Sequence, residues 1–207
     1  MLTDLTVKSF IDKVAGSDPV PGGGSVSALN GALAAALSAM VANLTVGRKK
    51  YMEVSEEMEI ISAKLTAVTQ KLIEDVDRDS DAYNRVFAAF KMPKETDEEK
   101  LLRSQTIQKE TKFAAEVPMD VAKSVFAVLP LIETVAEKGN TNAVTDACVS
   151  MMCARTAILG ALMNVRINLS GIKDEDYVAA MEKDASEIEK ATVEKEQNLY
   201  NHVKTVL

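Results

Sequence analysis

Two aspartates stand among apolar residues of predicted helices, where a carboxyl group can carry protons. Asp79 falls in the apolar stripe of a long helix, and Asp146 lies in the first turns of an almost wholly apolar one. A carboxylate in such surroundings is unfavourable unless it is paired, hydrogen-bonded or protonated. Burial also raises the pKa of a carboxyl group, which suits general acid–base chemistry. The alternatives are a structural salt bridge or a helix cap and, for Asp146, a self-associating interface.

A glycine-rich segment, Pro19-Val20-Pro21-Gly22-Gly23-Gly24-Ser25, precedes the second predicted helix. Consecutive glycines indicate unusual backbone freedom or the close approach of another group. Free N–H groups at a helix start bind anions, and Ser25 is predicted to be the N-cap. The Lys-Ser/Thr pair of a Walker loop is missing. Gly22, Gly23, Gly24 and Ser25 are therefore candidates for binding a ligand, with a flexible turn as the alternative.

A basic turn follows Gly47, at the other end of the same helix. Arg48, Lys49 and Lys50 could hold carboxylates or phosphates, or could simply be a solvated turn that complements the helix dipole. Three asparagines are further candidates for hydrogen bonds to a ligand or a loop: Asn43, Asn140 and Asn142.

The elements that must position these residues are all predicted to be helices. Ala, Leu, Met, Glu and Lys dominate, and no segment alternates β-branched residues between turn signals. Helices are predicted over 6–15, 25–46, 53–90, 98–116, 118–138, 142–169 and 174–205. The break at Pro118 is predicted because proline lacks the N–H of a helix interior. The chain is thus expected to be all-α, one domain over residues 1–207, with six to seven helices.

Composition excludes several classes of function. The net charge of −7 argues against a nucleic-acid surface, although a local basic cluster can still bind a small anion. Cys148 and Cys153 diverge around one helix and are predicted to be free thiols; a single histidine leaves a zinc site short of ligands, so no metal is expected. Asp146 and Arg155 favour a buried helix over a membrane span. No signal peptide is recognised, so a cytoplasmic protein is expected.

Three segments together resemble the C-terminal domain family of formiminotransferase-cyclodeaminase, which includes stand-alone bacterial methenyltetrahydrofolate cyclohydrolases. They are PVPGGGSVSALNGALAAALSAMVANLTVGRKKY (19–51), DRDSDAYNRVFAAFKMPK (77–94) and GNTNAVTDACVSMMCARTAILGALMNVRINL (139–169). The resemblance implies an all-helical bundle that dimerises and binds a reduced folate near the subunit interface. It implies no cofactor beyond that folate substrate, a tetrahydrofolate derivative with one or more glutamates.

Two reactions follow from the resemblance. A cyclodeaminase closes 5-formiminotetrahydrofolate onto its anilino nitrogen and expels ammonia, giving 5,10-methenyltetrahydrofolate, whereas a cyclohydrolase adds water to the methenyl carbon and gives 10-formyltetrahydrofolate. Asp79 and Asp146 would share proton transfer and pterin anchoring. Lys49 and Lys50 would meet the glutamate carboxylates, and the glycine loop would let the ligand approach backbone N–H groups. A non-catalytic folate-binding module and a purely structural helical dimer are the remaining hypotheses.

Overall fold

The computed structural model describes residues 1–207 and consists of helices and their connections, without a β-strand. The six α-helices are α1 (Val7–Val14), α2 (Gly23–Asn43), α3 (Ser55–Phe90), α4 (Asp97–Lys138), α5 (Val144–Leu169) and α6 (Glu175–Val206). Short 3₁₀ helices occupy Leu2–Asp4, Lys49–Val54 and Thr141–Ala143. The predicted all-α fold is confirmed.

Helices α2 and α5 form the centre of the bundle and run antiparallel. Small residues allow close packing: Gly31 lies against Leu72 and Val125, where a side chain would overlap its neighbours. The end of α2 meets the start of α5, since Asn140 Nδ2 donates to the Leu44 carbonyl. At 1.5 Å per residue, the two ends of α2 are about 30 Å apart. The glycine loop and the basic turn therefore lie at opposite ends of the bundle.

Two helical segments, Gly23–Asn43 and Thr141–Leu169, are long and apolar enough to cross a membrane. Within the bundle, 61% and 50% of their apolar windows are buried. Core helices meet the same length and composition criterion, and these two are the helices around which the others pack. Their remaining apolar surface is exposed.

The predicted break at Pro118 is wrong, because α4 continues from Asp97 to Lys138 through Pro118 and Pro130. A proline in a helix leaves the carbonyl four residues earlier without its usual donor. Here the Ala114 carbonyl accepts a hydrogen bond of 3.0 Å from Asn168 Nδ2 of α5. A side chain of another helix thus replaces the missing backbone donor and makes one long α4 possible.

Ser25 is not the N-cap of α2, contrary to prediction. The cap is Gly22, so the helix begins two residues earlier and Ser25 lies inside its first turn. There its hydroxyl is fully buried and lies 3.0 Å from the Val76 carbonyl of α3. The side chain therefore joins two helices instead of capping one.

Candidate active site

A cavity of about 340 Å³ opens where the start of α2, the middle of α3 and the end of α5 meet. Its lining combines the glycine loop, one carboxyl group, two carboxamides and an apolar wall. The lining residues are Pro19, Val20, Gly22, Gly23, Gly24, Asp79, Ala82, Tyr83, Val86, Ala114, Asn164, Ile167 and Asn168. The structure therefore brings Asp79 and the predicted glycine loop together, although 55 residues separate Gly24 from Asp79 in the sequence.

Asp79 reaches this cavity because α3 turns its apolar stripe toward the core. Leu72 and Val76 are buried, and Asp79 takes the next place in the same stripe. Asp79 itself is half-buried; Asp75, one turn earlier, is buried, but Lys71 and Arg78 form ion pairs with it at 2.9 and 3.3 Å. Asp79 has no cationic partner, so its charge is not compensated within the chain.

Burial raises the pKa of Asp79 above its ordinary value, and hydrogen bonds from Ser25 partly oppose this rise. The Ser25 hydroxyl lies 3.0 Å from Asp79 Oδ2 and 3.0 Å from the Val76 carbonyl. A hydroxyl has one hydrogen, so it cannot donate fully to both acceptors at once. When Ser25 donates to Val76, a protonated Asp79 can donate to Ser25. The arrangement accommodates either protonation state, as a proton carrier requires.

Gly24 is the glycine whose missing side chain matters most for this carboxyl group. A Cβ built on Gly24 would overlap the Asp79 carboxylate, with Oδ2 at 2.6 Å. Only glycine lets the backbone of α2 approach so closely. The sequence indicated a need for glycine here, and the structure identifies the group that requires it.

Gly24→Ala is therefore expected to lower the free energy of unfolding by about 1–3 kcal/mol, the usual effect of overpacking. Helix propensity alone predicts the opposite sign, a gain of up to about 1 kcal/mol. Denaturant unfolding would measure the change. Gly171→Ala is the matched control, because a Cβ there meets its nearest neighbour at an ordinary 3.5 Å. Unchanged or increased stability of Gly24→Ala would contradict the observed contact.

Asn164 and Asn168 were not predicted as site residues. Their sequence signal is a four-residue spacing that places two carboxamides on one face of an apolar helix, near the same face as Asp146 and Ser150. A structural role explains such residues equally well from sequence. In the structure both side chains line the cavity beside Asp79.

The basic turn lines a second depression, of about 400 Å³, with the loop before α5. Its residues are Arg48, Lys49, Lys50, Tyr51, Asn140, Thr141 and Asn142. The predicted basic residues thus lie beside two of the predicted asparagines. Tyr51 connects the segments, since its hydroxyl accepts from the Thr141 N–H at 3.0 Å and lies 3.1 Å from Thr141 Oγ1. Sequence reasoning missed Tyr51 and Thr141.

Tyr51 is expected to ionise with a pKa of about 8. The Thr141 hydroxyl, the Thr141 N–H and Lys50 lower this pKa by hydrogen bonding to the phenolate oxygen. Thr141→Val removes the largest of these contributions, so its phenol should titrate closer to the ordinary value of about 10. A pH titration of phenolate absorbance would measure both midpoints. Tyr51→Phe should abolish the absorbance transition with a midpoint of about 8. If that transition persisted in this variant, it would belong to another tyrosine.

Two other predicted residues lie outside the cavity. Asp146 is half-exposed in the first turn of α5, beside the basic depression, and forms neither an ion pair nor a side-chain hydrogen bond. Asp79 and Asp146 therefore do not share a cavity within one chain. Asn43 accepts a hydrogen bond of 2.7 Å from Ser62 of α3 and lines a different depression, with Met40 and Leu44. Its contact with Ser62 ties α2 to α3.

Another surface depression, of about 560 Å³, follows α3 on its solvent side and contains none of the predicted residues. Its two arginines pair with carboxylates of α4 that lie outside the lining. Arg85 lies 2.7 Å from Glu110, and Arg78 lies 3.0 Å from Asp120. Both cationic groups of this depression are therefore already paired, whereas the Asp79 carboxyl group of the smaller cavity has no ionic partner.

Comparison with known proteins gives consistent matches along the chain. The sequence model of a family described as formiminotransferase-cyclodeaminase matches residues 6–187. A methenyltetrahydrofolate cyclohydrolase from Methylorubrum extorquens is 38% identical over 177 residues, which cover 86% of this chain and 85% of that protein. A formimidoyltransferase-cyclodeaminase from Rattus norvegicus is 33% identical over 85% of this chain, which spans only 32% of that longer protein.

A solved structure has the same fold. The crystal structure of formiminotetrahydrofolate cyclodeaminase from Thermotoga maritima superposes with a TM-score of 0.83 at 32% sequence identity. The match covers 100% of this chain and 98% of that one, so the whole bundle corresponds.

Proposed function

The chain belongs to the formiminotransferase-cyclodeaminase family, and on that premise we propose that it is a folate one-carbon enzyme: a 5-formiminotetrahydrofolate cyclodeaminase. The observation that carries the proposal is the half-buried Asp79 carboxyl group, which lines a cavity beside a glycine-rich helix start and has no cationic partner. The Thermotoga maritima cyclodeaminase supports this choice, because it corresponds to this chain over nearly its full length.

The reaction needs a proton carrier and no electron transfer. The substrate's N10 attacks the formimino carbon on N5 and loses its proton, which gives a tetrahedral carbon between the two nitrogens. The C–N bond to the former imine nitrogen then breaks; that nitrogen takes up protons and leaves as ammonia. A carboxyl group with a raised pKa can accept the first proton and return it to the leaving nitrogen near neutral pH. The folate substrate supplies every bond that changes, so we propose no further cofactor.

Methenyltetrahydrofolate cyclohydrolase is the second candidate, favoured by the 38% identity to the Methylorubrum extorquens enzyme. Here water adds to the methenyl carbon, its proton passes to a base, and the C–N5 bond breaks to give 10-formyltetrahydrofolate. The intermediate again has a tetrahedral carbon between N5 and N10. The same carboxyl group can therefore serve either reaction.

The position of the basic turn supports a homodimer. A folate carries a pterin at one end and glutamate carboxylates at the other, yet within one chain the two candidate binding regions lie about 30 Å apart at opposite ends of α2. Asp79 marks one region and Lys49 and Lys50 mark the other. A two-fold axis between antiparallel copies of α2 would place the basic turn of one subunit beside the cavity of the other.

The exposed surface of α2 and α5 supports the same arrangement. Large apolar side chains remain exposed along both helices, between the two binding regions. They are Leu33 and Met40 on α2, Leu44 directly after it, and Val149, Met152 and Met163 on α5; Ile167, in the wall of the Asp79 cavity, is also exposed. Extensive exposed apolar surface marks interaction sites in globular proteins. A second copy of this chain is the occupant that would cover this surface and also complete the folate site.

Assay of both folate substrates with the purified protein tests the proposal. Growth of the methenyl chromophore with ammonia release from 5-formiminotetrahydrofolate is expected. Decay of the methenyl chromophore faster than in buffer would identify the cyclohydrolase instead. Folate binding without either conversion would support the non-catalytic module, and absence of both binding and turnover would reject the folate assignment.

A further inference from the structure

We propose that Asn164 and Asn168 select the substrate's pterin by accepting hydrogen bonds from its N3–H and 2-amino groups. The proposal deepens the proposed function, because it assigns one part of the folate to one wall of the cavity. It rests on which atoms of the two carboxamides remain unpaired inside that cavity.

The carboxamide of Asn168 has one possible orientation. Its Nδ2 lies 3.0 Å from the Ala114 carbonyl and 2.8 Å from the Asn164 carbonyl. Both neighbours are acceptors, so the amino group must face them and both of its hydrogens are used. Oδ1 then points the other way and has no hydrogen-bond donor within the chain. Pro118 fixes this arrangement, because it leaves the Ala114 carbonyl without a backbone donor.

Asn164 is oriented by the same principle. Its Nδ2 donates to the Gly160 carbonyl at 2.9 Å, one turn earlier on α5. Its carboxamide also lies close to the start of α2, since a Cβ on Gly23 would stand 3.2 Å from Nδ2. Oδ1 accepts no hydrogen bond from the protein. Each asparagine thus uses its donor on the backbone and leaves its acceptor unpaired.

The cavity lining limits what these acceptors can bind. It contains no lysine, arginine or histidine, so it is unsuited to the anionic end of a folate. Two carboxamide oxygens with an apolar wall of Val86 and Ile167 suit a flat ring that presents adjacent N–H donors. The 2-amino-4-oxopyrimidine half of a pterin has such an edge. In the proposed orientation the glutamate tail extends out of the cavity, toward the basic turn of the second subunit.

Equilibrium binding of two ligands to the full chain tests this assignment. Tetrahydrofolate is compared with its 2-desamino analogue, in which hydrogen replaces the amino group. The parent protein is expected to prefer tetrahydrofolate by about tenfold, because the analogue leaves a desolvated acceptor unpaired. Asn168→Ala or Asn164→Ala, whichever removes the acceptor of the 2-amino group, should reduce that preference toward unity, and the other should weaken binding of both ligands. Asn198→Ala, at an exposed site on α6, should retain the preference.

The ratio of the two affinities separates recognition from folding. If both asparagines were purely structural, neither variant would change the preference, and that result would overturn the proposal. Two variants are used because loss of the bond to Ala114 could unfold Asn168→Ala, whereas the Asn164 bond lies within one helix. Equal binding of both ligands by the parent protein would also overturn the proposal. Turnover with no such preference would reject this inference alone, because the proposed function would stand.

Discussion

Asparagine in place of Asp79 is expected to reduce turnover of the folate substrate by about 10²–10⁴-fold, the usual contribution of a general acid–base group. The variant keeps the size and hydrogen-bonding capacity of the side chain but cannot exchange the proton. Initial rates with saturating substrate would measure the loss. Asp81→Asn is the matched control: the same change two residues later on α3, at an exposed position without hydrogen bonds, should leave the rate unchanged.

The same variant should be at least as stable as the parent protein, and its advantage should grow with pH. Burial holds the pKa of Asp79 in the folded protein above its unfolded value. Between these two pKa values the folded state binds more protons than the unfolded state, so stability falls as pH rises. Asparagine does not titrate, so the variant does not undergo this fall in stability. Melting temperatures of both proteins across that pH range would measure this advantage; an advantage that shrank with rising pH would contradict the direction of the pKa shift.

The sequence predicted the helices well where one apolar stripe dominates. The stripe of α3 from Met58 to Val76 is buried as expected, because a periodic pattern of that length has one stable way to pack. The helix break predicted at Pro118 was wrong because the rule that proline interrupts a helix considers only backbone hydrogen-bond donors. Asn168, 50 residues after Pro118, supplies the missing hydrogen-bond donor. No local sequence pattern predicts such a distant partner.

The site was predictable in parts for a related reason. A buried carboxylate and a glycine-rich helix start are unusual in themselves, so Asp79 and the loop of Gly22–Gly24 could be identified singly. Their contact depends on how α2 crosses α3, which the sequence does not specify. Sequence alone does not separate a structural role from a binding role for Asn164, because an asparagine in a helix can bond to the preceding turn, as this one does. Its proposed binding role depends on the oxygen of the carboxamide.

Mixing two inactive variants is expected to restore activity if the site is shared between subunits. Asp79→Asn and Asp146→Asn should each have low turnover alone, because every site lacks one aspartate. If each site takes Asp79 from one chain and Asp146 from the other, a heterodimer has one site with both substitutions and one site with neither. Random reassociation makes half of the dimers mixed, so turnover should recover to about a quarter of the parent value. That is a rise of about 25-fold or more over either variant.

The experiment requires exchange of subunits, so the two variants are denatured together and refolded, and each is refolded alone as the control. Sedimentation of the products would confirm that dimers have formed. Recovery in the mixture alone would place Asp146 of one chain beside Asp79 of its partner. A mixture no more active than its components would mean that both aspartates act within one chain, which the 30 Å length of α2 makes difficult. Full activity of Asp146→Asn by itself would instead remove that carboxylate from the reaction and leave Asp79 as the proton carrier.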